Sequence, residues 1–316
     1  GLAHAVFFWF GDILVPYAIA GLVIFPFRKL KPRTLIVIGV AVLGLLLTKN
    51  VFEAGQLGNL YTAVHGPNPP PALVAQWNML APMIQPPPGA KEAEIAAFGA
   101  GSFLDAAQAR LALLRIFYGF IHPFDTIPEA IGQMLIGMAL FRLGFFTLAW
   151  SSRAYLVTIA IGYGLAAPFT ACLGSQIVQT GFDAVELRQY EVWQQLTRPF
   201  IALAHASALL LIIRAGWAQA LVNRLAAAGR MAFSNYLMTS IVTAAVFGGW
   251  GFGLFGKLSR FEQLAVVAGA WAIILIWSLP WLQRFHYGPF EWAWRSLVQW
   301  KLQPFVRGPK PAPAPA

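Results

Sequence analysis

The amino-acid sequence predicts an all-α protein, a polytopic integral membrane bundle of about six to seven transmembrane helices with additional interfacial helices. Of its 316 residues, 58% are hydrophobic and only 11% are charged, whereas about 25% of the residues in a soluble domain carry charge. Apolar runs of about 20 residues recur along the chain, and a helix of that length crosses roughly 30 Å of hydrocarbon. Short basic clusters separate these runs. We therefore expect the main partner of the chain to be the lipid bilayer.

The N-terminal segment, residues 1–52, is predicted to contain the end of one helix, a turn at 10–12, a short helix from Ile13 and a span over Thr34–Phe52. Gly11 and Pro16 favour the turn because both weaken a continuous helix. The chain begins at Gly1 inside an apolar run. We expect that the natural protein has a further N-terminal portion.

Residues 53–103 are predicted to form a long outer loop. They include eight prolines, three of them at 69–71 and three at 86–88, and proline interrupts helices. A long loop without secondary structure is either functional or disordered. The loop is thus either a cap over the outer mouth of the bundle or a disordered segment.

The middle segment, residues 104–228, is predicted to begin with an amphipathic interfacial helix at Leu104–Ile121, which Pro123 and Pro128 separate from the next span. Three spans follow: Ile127–Phe146, Ala154–Val178 and Pro199–Ile213. A polar stretch at 179–198 separates the last two.

The C-terminal segment, residues 229–300, contains two apolar runs of membrane-spanning length, Met231–Phe252 and Phe261–Leu282, with a Gly-rich turn between them. This arrangement predicts a membrane hairpin, followed by an interfacial helix rich in tryptophan. Residues 301–316 end in a Pro/Ala-rich sequence and are predicted to be a disordered tail.

The distribution of basic residues predicts the orientation. Four segments that alternation places on one side of the membrane hold 14 of the 22 basic residues: 28–33, 142–153, 214–230 and the chain after Gln283. Cytoplasmic loops are enriched in Lys and Arg, so we expect a multi-pass protein of the bacterial inner membrane with a cytoplasmic C-terminus. Because these residues lie between apolar runs, the net charge of +10 does not indicate a nucleic-acid-binding face. The sequence does not determine the oligomeric state.

The sequence lacks the common enzymatic signatures. It contains no phosphate-binding loop, no H-E-x-x-H motif and no G-x-S-x-G motif. Cys172 is the single cysteine, which excludes an intrachain disulfide and a cysteine-based metal site. We therefore predict no metal site.

A row of polar residues precedes and enters the span at 127–146. Its members are spaced three, four, three, four and four residues apart: Arg115, Tyr118, His122, Asp125, Glu129 and Gln133. On an α-helix they would share one face. One interpretation is the polar wall of a cavity, in which His122, Asp125 or Glu129 transfers protons and Arg115 and Tyr118 bind substrate. The other, which we favour, is an amphipathic helix whose polar face meets lipid head groups.

Two further catalytic candidates, His4 and Asp12, flank the N-terminal turn. Asp12 can bind a cation or orient a base, but it is also well placed to cap the helix that starts at Ile13, which is the interpretation we favour. The remaining candidates for substrate binding are Arg142, Arg230, Asn235, Tyr236, Glu291 and Arg295. For the pair Glu291 and Arg295 the spacing also predicts an i, i+4 ion pair.

Several motifs carry a resemblance to a known family. They are Gly1–His4, Gly11–Leu14, Met134–Leu140 with Arg142–Gly144, Gly229–Ala232 with Ser234–Tyr236, Gly253–Leu258 and Arg284–Trp292. In this order they resemble the YeiB-like bacterial membrane proteins, also designated domain of unknown function 418. The resemblance covers nearly the whole chain except the Pro-rich segment.

The resemblance implies a multi-pass inner-membrane protein, distantly similar to membrane acyltransferases that pass an acyl group to sugars on the far side of the membrane. Those relatives have their catalytic histidine in an early region, after which this chain is expected to start, so no residue here inherits that role. Acyl transfer to an envelope substrate, with acyl-coenzyme A as the donor, is one hypothesis. The alternatives are a transporter of a small or lipid-like solute and a non-catalytic membrane subunit.

Overall fold

The computed structural model describes residues 1–84 and 88–307, and within them the predicted all-α fold is confirmed. The α-helices in chain order are α1 (Leu2–Phe7), α2 (Leu14–Ile24), α3 (Pro32–Val64), α4 (Pro71–Ile84), α5 (Ala90–Ile95), α6 (Phe103–Ile116), α7 (Ile127–Arg142), α8 (Ser152–Ile161), α9 (Ala167–Gln179), α10 (Ala184–Arg214), α11 (Gln219–Arg230), α12 (Ala232–Phe247), α13 (Arg260–Arg284) and α14 (Pro289–Val298). A 3₁₀-helix covers Phe25–Lys29, and π-helices cover Ala96–Ala100, Phe117–Thr126 and Gly162–Ala166.

Four helical segments among the described residues are long and apolar enough to cross a bilayer. They are α3, the continuous segment Ser152–Gln179, α10 and α13. The helix α12 is apolar but shorter, with 16 residues. These segments make the chain an integral membrane protein, and the turn predicted between α1 and α2 is confirmed.

The chain divides into two compact units. Unit 1 consists of Gly1, Asp12–Glu92 and Leu114–Ala215. Unit 2 consists of Leu2–Gly11, Ala93–Leu113 and the chain from Gly216 onward.

In unit 1, close helix packing depends on residues without a side chain. A Cβ atom on Gly39 of α3 would lie 2.8 Å from the carbonyl oxygen of Gly132 on α7. A Cβ atom on Gly162 would lie 2.5 Å from the carbonyl oxygen of Phe200 on α10. Small residues at such crossings let membrane helices approach closely. The apolar core between α3 and α7 contains Leu35 and the α7 residues Leu135 and Ala139.

Unit 2 is built on α11, α12, α13 and α14. Its apolar core contains Ala227, Met231 and Leu282. The start of α13 is fixed by a capping box, in which Ser259 and Glu262 bind each other's backbone N–H groups.

The Pro-rich segment differs from the predicted loop because much of it is helical. α3 continues past Phe52 to Val64, since no proline occurs between Pro32, at its start, and Pro67. Pro71 occupies the first turn of α4, where its missing N–H costs nothing. Residues 85–87, which include two prolines of the second triplet, lie outside the described residues.

Three further predicted boundaries differ from the structure. Helix continues without interruption from Phe103 to Arg142, because a π-helical segment at 117–126 accommodates Pro123 instead of a break. The polar stretch before Pro199 is the first half of α10, which Asp183 caps through the N–H groups of Val185 and Glu186. Residues 301–307 are ordered against the end of α13, since the N–H of Arg307 donates to the carbonyl of Arg284 at 2.9 Å. The remainder of the predicted disordered tail, residues 308–316, lies outside the described residues.

Candidate functional site

One end of unit 1 gathers arginine side chains onto main-chain carbonyl groups. The guanidinium of Arg142 donates to the carbonyl of Leu30, at 2.6 Å, and to that of Arg28. The guanidinium of Arg214 donates to the carbonyl of Leu148 at 2.6 Å. These contacts bring together the start of α3, the end of α7, the start of α8 and the end of α10. We call this region the basic end.

A charged network joins α3, the π-helix at 117–126 and α10. Its members are Lys49, Asn50, Glu53, Asp125, Arg188 and Gln195. The ammonium of Lys49 lies 2.8 Å from Asp125 and 3.3 Å from Glu53, and Arg188 lies 2.9 Å from the same Glu53 carboxylate. Two cations and two carboxylates therefore alternate across three helices.

Two buried amides lie at the centre of the charged network. The Nδ2 group of Asn50 donates to Oε1 of Gln195 at 2.9 Å. Oδ1 of Asn50 accepts from Lys49 at 3.1 Å and from Arg188 at 3.3 Å. Among the described residues, Nε2 of Gln195 is buried without a hydrogen-bond partner, which leaves a donor at this position for another group.

The centre of the charged network lies about one bilayer core away from the basic end. Lys49 is 17 residues into α3 from Pro32, which corresponds to about 25 Å. Gln195 is 19 residues before Arg214 on α10, or about 28 Å. Because the hydrocarbon core is about 30 Å thick, the network lies where these helices leave the hydrocarbon on the side opposite the basic end.

Beside the charged network lies a second group of polar residues, which we call the histidine cluster: Asp12, Tyr118, His122 and Thr126. Asp12 is fully buried and its Oδ2 accepts from the N–H groups of Leu14 and Val15 at 2.9 and 3.2 Å, so the predicted capping role is confirmed. Nδ1 of His122 lies 3.2 Å from Oγ1 of Thr126.

His122 and Tyr118 each bury a polar atom that forms no hydrogen bond with the described residues. His122 is only 4% exposed, and among the described residues its Nε2 has no hydrogen-bond partner. The hydroxyl of Tyr118 is likewise buried and unpartnered, and its ring lies edge-on to the imidazole with centroids 4.9 Å apart. Buried polar atoms are normally paired, and each exception calls for an explanation, such as a catalytic role or a bound water or ion.

Burial and the charge on Asp12 affect these two groups, which lie outside the four candidate spans. Burial lowers the pKa of His122, and the negative charge of Asp12 opposes this shift only in part. Burial, and then the same charge, raises the pKa of Tyr118. At neutral pH the imidazole is therefore neutral and able to accept a proton, while the phenol keeps its proton.

Two recesses adjoin these groups. A cavity of about 830 Å³ between α3, α4 and α10 is lined by Glu53, Arg188 and Glu191 together with apolar side chains. A second recess of about 470 Å³ between α2, α3, α7 and α10 includes Thr126 and Glu129 in its wall. We call the second recess the groove.

The predicted polar row does not share one face. The π-helix has wider turns, as shown by the N–H of Ile127, which bonds to the carbonyl five residues earlier. The residues of the row therefore contact different parts of unit 1. Tyr118 and His122 belong with Asp12, Asp125 pairs with Lys49, and Glu129 accepts from Arg198 and Gln133, both at 2.8 Å. Arg115 is exposed.

The candidates Asn235 and Glu291 lie in unit 2 and are fully engaged. Oε1 of Glu291 accepts from the N–H of Ser234 at 2.9 Å and Oε2 from its hydroxyl at 2.5 Å. Asn235 donates to the carbonyl of Ala228 at 3.0 Å and to the hydroxyl of Ser278 at 3.2 Å, and it accepts from Trp277 at 2.9 Å. These bonds tie α11, α12, α13 and α14 together.

The other unit 2 candidates make simpler contacts. The rings of His4 and Tyr236 lie 5.0 Å apart, and Arg230 is exposed at the end of α11. Arg295 lies over the ring of Tyr287 at 4.9 Å. The predicted pairing of Glu291 with Arg295 is wrong, because Ser234 at the start of α12 satisfies the carboxylate. His4 and Asp12, predicted together, are assigned to different units.

Sequence reasoning missed the α10 residues of the site. Arg188, Glu191, Gln195 and Arg198 are spaced three, four and three residues apart, which is the spacing of one helical face. This spacing could have identified the four residues, but only if the polar stretch at 179–198 had been predicted to be helical. Lys49 and Asn50 carried another signal, since they interrupt an apolar span.

Comparison with known proteins gives a consistent result. The family described as "Protein of unknown function (DUF418)" matches residues 140–301. YeiB of Escherichia coli (strain K12) is 30% identical over 313 residues, which cover 94% of this chain and 72% of YeiB. YxaH of Bacillus subtilis (strain 168) is 26% identical over 318 residues, which cover 98% of this chain and 71% of YxaH. Both are described as uncharacterized proteins. No solved structure matches.

Proposed function

The chain belongs to the DUF418 family, and we propose that it acts in acyl transfer to a hydroxyl group of an envelope substrate, with His122 as the general base. The observation that carries this proposal is the buried, unpartnered Nε2 of His122 in the field of the Asp12 carboxylate. A neutral imidazole beside a carboxylate is the arrangement that general-base catalysis uses.

The orientation of the site is part of the proposal. The basic end of unit 1 faces the cytoplasm of a bacterial cell, in accordance with the enrichment of cytoplasmic loops in Lys and Arg. The charged network and the histidine cluster then lie at the envelope side of the inner membrane. The basic residues at the end of α13 and after it, such as Arg284 and Arg295, support a cytoplasmic C-terminus.

The chemical step uses groups of the histidine cluster. In the tautomer with its proton on Nδ1, His122 donates to Oγ1 of Thr126 and leaves Nε2 as the base. Nε2 takes the proton of the acceptor hydroxyl as its oxygen attacks the acyl carbonyl. Asp12 stabilises the resulting imidazolium, and the hydroxyl of Tyr118 is a donor for the oxyanion. The bond from the acyl carbon to the leaving group then breaks, and the leaving group takes the proton from His122.

The test is an activity assay on the purified chain in lipid nanodiscs, with labelled acyl-coenzyme A and labelled phospholipid as donors and a panel of sugars as acceptors. We expect His122→Gln to lower the transfer rate by about 10²-fold or more. The matched control is His205→Gln, because His205 is exposed and, among the described residues, its side chain hydrogen-bonds within α10 to the carbonyl of Ile201 at 2.7 Å and otherwise packs edge-on against the ring of Tyr163. Absence of transfer from every donor, or equal rates in the two variants, would overturn the proposal.

Transport of a solute is the second candidate function. It is favoured by the cavity of about 830 Å³, whose wall presents Glu53, Arg188 and Glu191. A cavity with both signs of charge suits a zwitterionic or sugar-like solute. Stabilisation of the chain by such a solute in a thermal screen, without stabilisation by any acyl donor, would favour transport.

A further inference from the structure

The groove changes in polarity along its length. Its polar end is formed by Thr126, Glu129 and Arg198, and its apolar end by Leu140, Phe146 and Leu203. From Thr126 to Leu140 the wall follows the helix for 14 residues, or about 21 Å. The polarity therefore falls from the side of the charged network toward the basic end, within the depth of the bilayer.

The groove is open to the surface of unit 1. Tyr17 and Phe146, which contribute to its wall, are both exposed on the surface of the unit. Two of the helices that form it, α3 and α10, are candidate spans. We therefore expect this opening to face the acyl chains of the bilayer.

Two glycines of α7 have different environments. A Cβ atom on Gly132 would lie 2.6 Å from Cγ of Leu43 on α3, so Gly132 serves helix packing. A Cβ atom on Gly137 would meet no atom within 4 Å, and Gly137 lines the groove. The space at Gly137 is therefore open, and a larger side chain there fits into the groove without displacing a helix.

The polar end of the groove adjoins the histidine cluster. Thr126 belongs to both, since it lines the groove and its hydroxyl lies 3.2 Å from Nδ1 of His122. Arg198 is half exposed and donates through one of its five N–H groups to Glu129. Its remaining donors suit the phosphate of a lipid head group.

We propose that the groove binds one acyl chain of a membrane phospholipid and that this lipid is the acyl donor. The chain occupies the apolar length past Gly137, and the ester carbonyl lies at the polar end beside Thr126. This inference rests on the proposed acyl transfer and names its donor class. In the transfer, the acceptor oxygen forms a new ester bond to the acyl carbon, the ester bond to the lipid glycerol breaks, and the glycerol oxygen leaves with the proton that His122 took from the acceptor.

The experiment uses a phosphatidylcholine that carries a diazirine at the end of one acyl chain. The full chain is reconstituted with this lipid in nanodiscs and irradiated, and the labelled peptides are mapped by mass spectrometry. In the wild-type protein we expect labelling concentrated on 136–140 of α7 and 202–203 of α10. Gly137→Leu should reduce this labelling severalfold. Gly44→Leu is the matched control, because Gly44 is exposed on α3 and its Cβ would also meet nothing within 4 Å.

The wild-type map keeps the inference testable even if Gly137→Leu does not fold. Labelling spread evenly over exposed helix faces, or equal labelling in Gly137→Leu and Gly44→Leu, would overturn it. So would labelling from an acyl-coenzyme A with the same diazirine chain but not from the phospholipid. If the labelling pattern fails while His122→Gln still abolishes transfer, only the donor assignment is wrong. If the pattern holds and no transfer is found, the proposed function is wrong and the lipid site remains.

Discussion

The two units differ in how they treat buried polar side chains. In unit 2, the buried side chains Ser234, Asn235 and Ser278 take part in hydrogen bonds that join four helices. In unit 1, His122 and Gln195 each bury a nitrogen atom that has no partner among the described residues. An unpaired buried polar group costs about 1–3 kcal/mol, so each of these two nitrogens is a candidate to bind a further group.

The recognisable sequence motifs and the candidate catalytic groups therefore lie in different units. The Ser-Asn-Tyr motif at 234–236 and the motif around Glu291 resemble a family signature, and their side chains bind each other. We infer that this part of the signature preserves helix packing in unit 2. The candidate catalytic groups lie in unit 1, where no long sequence motif marks them.

The largest effect is expected from breaking the Asn235 network. Asn235→Ala leaves the indole N–H of Trp277 and the buried hydroxyl of Ser278 without the hydrogen-bond partner that the described residues give them. Because each unsatisfied buried group costs about 1–3 kcal/mol, we expect a loss of about 3 kcal/mol in unfolding free energy. Denaturant unfolding in detergent measures it. Asn223→Ala, at an exposed asparagine of α11, is the control and should change stability by less than about 0.5 kcal/mol. Equal losses would show that the network carries no special stability.

The fold class was predictable because hydropathy and charge are properties of short segments. The turn at Gly11 and the positions of the long apolar helices followed from such local signals. The prediction of a long Pro-rich loop was wrong, because a proline in the first turn of a helix is tolerated, as Pro71 shows in α4. Local composition cannot distinguish that position from a helix-breaking one.

The candidate site was predictable only in part. His122, Tyr118, Asp125 and Glu129 were identified because polar residues near membrane spans are costly. Their partners were not, because Lys49 is 76 residues away from Asp125 along the chain. The prediction that the polar row lies on one helical face was wrong because of the π-helix. Apart from Pro123, the sequence gives no clear signal for its wider turns.

A smaller effect is expected from separating Ser234 from Glu291. Ser234→Ala and Glu291→Gln should each destabilise the protein, and a double-mutant cycle should give a coupling energy of about 1–2 kcal/mol. The same unfolding assay applies. A coupling energy near zero would mean that the two motifs are stabilised independently, contrary to the tight bonding of unit 2.

The charged network of unit 1 should matter less for stability. Lys49→Gln removes the cationic partner of Asp125 and one of the two cationic partners of Glu53, but the side chains of Lys49, Asp125 and Glu53 are 32%, 36% and 45% exposed. Solvent screens such pairs, so we expect a loss of about 1 kcal/mol or less, and a smaller loss in high salt. Lys29→Gln at an exposed position of the basic end is the control. A loss as large as that of Asn235→Ala would remove the distinction between the units.

The smallest effect is a pH dependence of stability. Because the pKa of folded His122 is lowered, the unfolded chain binds its proton more tightly than the folded chain does. This contribution to stability is complete above the ordinary histidine pKa of about 6.5 and is lost as pH falls below it. His122→Gln should flatten this acid limb between about pH 7 and pH 5. The prediction would be wrong if the loss of stability at acid pH were unchanged in His122→Gln and reduced in His205→Gln instead.

The most direct measurement compares two variants in two assays. Acyl transfer and the unfolding midpoint are measured side by side for His122→Gln in unit 1 and Glu291→Gln in unit 2, in the same nanodiscs. We predict that His122→Gln loses transfer by about 10²-fold or more with a nearly unchanged midpoint. Glu291→Gln should lower the midpoint and leave transfer by the folded protein close to that of the wild type. Full transfer activity in His122→Gln would contradict the account.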